Sequence, residues 1–132
     1  MDKIKRILLI DDDDIVNSIN SAIIKHAGFA EEILVQTSVV EAIDSLKLAI
    51  DENSLPELIF LDVNMPHKSG WDFIDEYEQI PFSASQPGVI MVTSSINPAD
   101  AARASKLDTV IDFISKPLSP ELLDKVYEDH FS

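Results

Sequence analysis

The chain has 132 residues, with 10 lysines and arginines against 24 aspartates and glutamates, for a formal net charge of −14. That surplus argues against binding to nucleic-acid backbones or polyanionic surfaces, and the length suits one domain with an ordinary core. With no cysteine, a disulfide framework, a thiolate nucleophile and a zinc–cysteine site are excluded.

The N-terminus, Met1-Asp2-Lys3-Ile4-Lys5-Arg6, leads into only four apolar residues, too few for a signal segment or a membrane span. A cytoplasmic protein with no membrane association is expected. Residues 7–10 (Ile-Leu-Leu-Ile) are the first predicted strand, ending in Asp11-Asp12-Asp13-Asp14. The helix after Asp14 places Ile15, Ile19, Ala22 and Ile23 on one face, and Gly28 is its stop. Residues 33–36 form a second short strand. Ser38 and Glu41 read as a capping box, after which Val40, Ile43, Leu46 and Ile50 recur at helical spacing.

Residues 58–61 (Leu-Ile-Phe-Leu) form the third strand, an unalternated apolar run that suits burial on both faces, as in a parallel sheet. The run ends in Asp62-Val63-Asn64-Met65-Pro66, which puts Asp62 at the strand's carboxyl end, where open α/β sheets bind ligands. A helix from about Gly70 carries Trp71, Phe73, Ile74 and Tyr77 toward the sheet. Residues 80–88, with two prolines and a glycine, make a long loop. Residues 89–92 are the fourth strand, ending in Thr93-Ser94-Ser95. Asn97 with Pro98 caps a short Ala-rich helix. Residues 110–115 are the fifth strand, leading to Lys116-Pro117. Ser119-Pro120 starts a last helix whose stripe is Leu122, Leu123, Val126 and Tyr127.

Five strands alternating with five helices predict an α/β fold. It is a flavodoxin-like (βα)5 three-layer sandwich on a parallel five-stranded sheet of order 2-1-3-4-5. In that order the ends of strands one and three meet at the switch point, so Asp11, Asp12 and Asp62 converge. Two carboxylates at about 4 Å repel by about 4 kcal/mol at an effective dielectric of 20. A hard divalent cation held by carboxylates, a carbonyl and waters relieves this, and Mg²⁺ suits such a set better than Ca²⁺. An aspartate beside Mg²⁺ with a lysine opposite can act as a nucleophile toward a phosphoryl group, with Lys116 and a Thr93 hydroxyl stabilising the transferring oxygens. No glycine-rich phosphate loop is present, and His26, His67 and His130 lack metal-ligand spacing.

Four pieces of the chain, LLIDDD at the first strand, LDVNMP followed by Gly70 at the third, MVTS at the fourth and DFISKP at the fifth, together resemble the response-regulator receiver domains of bacterial two-component signalling. The resemblance covers nearly the whole chain. It implies that Asp62 is the phosphoacceptor, taking a phosphoryl group from a sensor histidine kinase or phosphotransfer protein. It also implies that Asp12 and Asp62 ligate Mg²⁺ with the Asn64 carbonyl, and Asp11 through water. Thr93 and Lys116 hold phosphoryl oxygens, Phe113 takes the place of the switch aromatic without its usual hydroxyl, and the Lys116–Pro117 bond is cis. Output is expected through protein–protein contact with a downstream target, from the face of the fourth helix, fifth strand and fifth helix. Such a protein phosphorylates itself and slowly dephosphorylates itself, and is not a turnover enzyme. Because the sequence stops after the fifth helix, a single stand-alone receiver over residues 1–132 is expected, of the chemotaxis-regulator kind. The alternative from the enzyme class is a Mg²⁺-dependent aspartyl-phosphate phosphatase of the haloacid dehalogenase type. That class usually carries a second aspartate two residues after the nucleophile, where this chain has Asn64.

Overall fold

The apolar strand residues sort into two cores. Ile7 and Leu9 join one buried cluster with Leu58, Phe60, Ile90 and Val92, whereas Leu8 and Ile10 join another with Ile59, Leu61, Val89 and Met91. A strand that buries both faces needs helices on each side, which is why these runs are unbroken apolar sequence.

The computed structural model describes residues 4–82, 86–94 and 97–131. The elements are β1 (Ile4–Ile10), α1 (Asp14–Ala27), β2 (Ala30–Gln36), α2 (Val39–Asp51), β3 (Leu58–Asp62), α3 (Gly70–Tyr77), β4 (Gly88–Thr93), α4 (Pro98–Ser105), β5 (Val110–Ser115) and α5 (Pro120–His130). All pairings are parallel, in the order β2-β1-β3-β4-β5, so the flavodoxin-like expectation holds. Helices α1 and α5 cover one face through Ile24, Leu123 and Val126. Helices α2, α3 and α4 cover the other through Ile43, Leu46, Phe73, Tyr77 and Ala104. No helix among the described residues is long and apolar enough to cross a membrane.

Strands β1 and β2 each start three residues earlier than the apolar pattern predicts. In β2 those residues include exposed Glu31 and Glu32, the charges by which an edge strand discourages pairing with other chains. Gly28 ends α1 in the left-handed conformation (φ 66°), its N–H bonded to the Ile24 and Lys25 carbonyls, as the sequence suggests. Ser38 caps α2 by accepting the Glu41 N–H, and a capping box with both halves formed is found at Ser69 and Asp72.

Four expectations about helix faces need correction. In α1, Ile15 and Ile19 are 71% and 52% exposed, and the buried residues are Asn17, Asn20 and Ile24. The helix phase is set at its start. Asp13 caps the Ile15 and Val16 N–H groups, and Asn17 Nδ2 donates to the Asp11 carbonyl at 2.8 Å, so Asn17 must face inward. In α2, Val40 is exposed while Val39 is buried. Trp71 is half-buried and reaches sideways to α4, where its Nε1 donates to Asp100 at 3.1 Å and Arg103 lies 4.3 Å from the ring centre. In α5 the stripe is narrower than expected, with Leu123 and Val126 buried and Leu122 and Tyr127 half-buried.

The 80–88 loop is fastened at both described ends. The Tyr77 hydroxyl donates to the Pro87 carbonyl at 2.6 Å, and the Tyr77 and Phe82 rings meet at 5.1 Å. Residues 83–85 of that loop lie outside the described residues, as do Met1, Asp2, Lys3, Ser95, Ile96 and Ser132.

Gly70 positions the end of β3. Its N–H donates to the Val63 carbonyl at 2.9 Å, and an added Cβ would lie 2.8 Å from the Asp62 carbonyl oxygen and 3.0 Å from Val63 Cα. These are backbone atoms that cannot swing aside. Gly70→Ala should therefore cost about 1–3 kcal/mol, as overpacking does, seen as a lower urea midpoint with an unchanged slope.

Candidate functional site

Parallel strands all end on the same edge, and the sheet order brings four of those ends together. Asp11 directly follows β1, Asp62 is the last residue of β3, Thr93 the last of β4, and Lys116 directly follows β5. Backbone bonds continue the ladder at this edge: the Val63 N–H donates to the Val92 carbonyl at 3.1 Å and the Lys116 N–H to the Thr93 carbonyl at 2.7 Å. The Lys116–Pro117 bond is cis, as the resemblance implies.

Asp11 and Asp62 are buried, and Asp12 is exposed at the rim. Each of the three offers a carboxylate oxygen within 4.8 Å of the others. Lys116 Nζ bonds Asp11 Oδ2 at 2.7 Å and lies 3.4 Å from Asp62 Oδ1. Asp11 Oδ1 accepts the Asp13 N–H at 3.0 Å, and Asp62 Oδ1 accepts the Asn64 N–H at 3.3 Å. Asp13 thus serves as the cap of α1, which explains one of the four consecutive aspartates without any role in the crevice.

Three carboxylates cluster here, and two of them, Asp11 and Asp62, share the Lys116 ammonium. At 4.8 Å a pair of them repels by about 3–4 kcal/mol at an effective dielectric of 20. Burial, and then the Asp11 charge, push the Asp62 carboxyl from 3.8 up to about 6, against the opposing pull of Lys116 and the Asn64 N–H. For Lys116, burial works against the charge. Its hydrogen bond to Asp11 and the charges of Asp62 and Asp11 outweigh that, and its pKa is raised. Lys116 therefore stays a cation, and Asp62 carries the uncompensated share of the repulsion. Hard carboxylate oxygens at this spacing, short of positive charge, fit a small divalent cation that keeps some of its waters.

The structure brings Asp11, Asp12, Asp62, Thr93 and Lys116 to one edge, with Asn64 at the rim, following Asp62. Thr93 is buried. Phe113 is further away, half-buried beside a cavity of about 240 Å³ that is also lined by Ala101, Ala104 and Ser105 of α4. It occupies that place because of a bulge: the β4–β5 register slips between Val89 and Ile90, so Phe113 pairs with Met91 and faces α4. His130, which lacks metal-ligand spacing in the sequence, lies 3.3 Å from Asp112 in a group that includes Asp129 and none of the crevice residues. Asn17 was missed by the sequence reading. Its signal was there, an asparagine pair at positions 17 and 20 spaced for one helix face.

Comparisons with known proteins agree with this geometry. In the curated protein CpxR of Escherichia coli (strain K12), a transcriptional regulatory protein, 121 residues match at 32% identity, covering 86% of this chain; the chain spans only 44% of the length of that relative. The structure of a two component response regulator from Cytophaga hutchinsonii superposes with a TM-score of 0.89 at 38% identity, covering 97% of both chains. The Mn²⁺-bound form of the response regulator Rcp1 superposes with a TM-score of 0.73 at 26% identity, covering 96% of this chain and 94% of the other. The family model of the response regulator receiver domain matches residues 7–128. That span contains every strand-end residue of the crevice, and the chain belongs to the response regulator receiver domain family.

Proposed function

We propose that the chain is a phosphoacceptor of a two-component or phosphorelay system, with Asp62 accepting the phosphoryl group. The observation that carries this reading is the setting of Asp62, a buried carboxylate at the end of the central strand with Lys116 at 3.4 Å and two further carboxylates close by. An Asp62 oxygen attacks phosphorus, the bond from phosphorus to the donor imidazole breaks, and the imidazole leaves as a neutral ring after taking up a proton. Lys116 bonds one transferring oxygen, and Thr93, the last residue of the neighbouring strand, bonds another through its hydroxyl.

Asp11, Asp12, Asp62 and the Asn64 carbonyl are the groups that would hold Mg²⁺, whose charge offsets that of the incoming phosphoryl oxygens. The Mn²⁺-bound form of Rcp1 supports a divalent ion in a fold of this kind. The donor is a histidine kinase or phosphotransfer protein. Exposed Ile19, with Val16, Asn20, Lys116 and Pro117 at a small apolar pocket, and exposed Ile15 one turn earlier on the same helix give such a donor a surface next to the crevice. The output surface is α4, β5 and α5, where the cavity beside Phe113 gives its ring room to move as Thr93 shifts toward the phosphoryl group. The phosphatase alternative is disfavoured by Asn64, which lacks the acid that class uses to protonate its leaving group.

Intact mass after incubation with acetyl phosphate and Mg²⁺ tests the reading. Native protein should gain one phosphoryl group and Asp62→Asn none; equal gain in both would place the phosphate elsewhere. Steady turnover of phosphomonoesters would favour the phosphatase.

Two stability measurements follow. Mg²⁺ at 100 times its Kd should add about 2.7 kcal/mol to the folded state, raising Tm, and Asp12→Ala should remove most of that shift. The folded pKa of Asp62, about 6, lies above its unfolded 3.8, so the folded state keeps this proton longer and the group's contribution to stability falls as pH rises through that window. Without divalent cations, Asp62→Asn should melt above native protein near neutral pH and lose that advantage toward pH 4.

A further inference from the structure

We propose that one ordered water sits behind the acidic crevice, and that Asn17, through this water and through Asp11, is a positioning residue for the crevice. The observation is a helix turned the unexpected way. Helix α1 leaves Ile15 and Ile19 in solvent and buries Asn17 and Asn20 at 4% and 8% exposure. Amides are poor core residues unless their hydrogen bonds are made.

Only one of the two side-chain polar atoms of Asn17 is provided for. Its Nδ2 donates to the Asp11 carbonyl at 2.8 Å, which also fixes the amide's orientation, since the flipped form would set oxygen against oxygen. Its Oδ1 is buried, and no protein group among the described residues bonds it. The same residue lines a cavity of about 10 Å³, whose other polar walls are Asp11, Asn20, Asp62 and Lys116, with Phe60 among the apolar ones. That is the room one water needs, and a buried water takes two to four polar partners.

The chemistry of the walls selects the occupant. A cation would meet the Lys116 ammonium and an anion the two carboxylates. A molecule that donates and accepts is compatible with both: it donates to Asn17 Oδ1 and to a carboxylate, and accepts from Lys116 or the Asn20 amide. Asn17 then holds Asp11 from behind by its main chain and Lys116 through the water. It touches no reacting atom; it sets the spacing of groups that do. The water site stands on its own, whereas the effect of Asn17 on Mg²⁺ rests on the phosphoacceptor reading.

Two readouts test this. The first is a high-resolution crystal structure of native protein without divalent metal, which should show a water within hydrogen-bond distance of Asn17 Oδ1. A dry or collapsed cavity would overturn the proposal. The second is calorimetric titration of Mg²⁺ alone into native protein, Asn17→Leu and, as a control, Ile24→Val. Ile24 is buried on the same helix but belongs to the apolar core. Outer hydrogen-bond partners of metal ligands commonly matter 10–100-fold, so Asn17→Leu should lose about tenfold or more in affinity while Ile24→Val keeps the native value. Native affinity in Asn17→Leu, or an equal loss in the control, would reduce Asn17 to a structural residue. Should native protein itself bind no Mg²⁺, the phosphoacceptor reading fails and the crystal structure still decides the water. If Asn17→Leu does not fold, Asn17→Ala takes its place in the titration, with the same expected loss and the same contrary result.

Discussion

The ammonium of Lys116, bonded to Asp11 at 2.7 Å and 3.4 Å from Asp62, is the contact to which the rest of the structure is fitted. Its partners come from the start and the middle of the chain and Lys116 itself from near the end, and the β2-β1-β3-β4-β5 order places β1 beside β3 and lets β5 reach across β4. The bond is not a simple gain in stability. A buried ion pair must recover a desolvation cost of several kcal/mol per ion, and here Asp62 competes with Asp11 for the Lys116 ammonium, with Asp12 close by. The crevice is left short of positive charge, held in that state by two apolar cores that have no stake in it. Its resting arrangement is electrostatically unsatisfied, and an added positive charge would relieve it.

The layers around it divide the work unequally. Helices α2 and α3 are bound tightly to the sheet by Ala42, Ile43, Leu46, Phe73, Ile74 and Tyr77. Helix α4 buries only Ala104 and is otherwise tied sideways, through Asp100 and Arg103, to Trp71. An element with so little apolar burial sits at the low-stability end of a fold, and it is the one flanking Thr93 and the cavity beside Phe113. The division suits a rigid site with a yielding neighbour.

The legible part of the fold was the part where one physical demand acted alone. Runs such as Leu58 to Leu61 are buried on both faces, so periodicity has nothing to conceal, and Asp62 and Lys116 are marked by where such runs stop. Caps at Asn97 and Ser119 were equally plain, because a side-chain oxygen for a free N–H is a local requirement. Legibility failed where a long-range contact overrode local pattern. Ile15 and Ile19 carry the apolar signal of α1, but the bond from Asn17 to the Asp11 carbonyl rotates the helix against it. Trp71 reads as core until Asp100, remote in sequence, claims its N–H. Phe113 was identified by its place in the DFISKP stretch, but its facing α4 depends on a bulge that alternation alone does not reveal.

The central claim is that Asp62 holds its charge under duress, from burial and from Asp11. Titration of the Asp62 carboxyl carbon by NMR in metal-free protein measures this directly. The account predicts a midpoint near 6 that falls on adding Mg²⁺; a midpoint close to 3.8, unmoved by Mg²⁺, would contradict it.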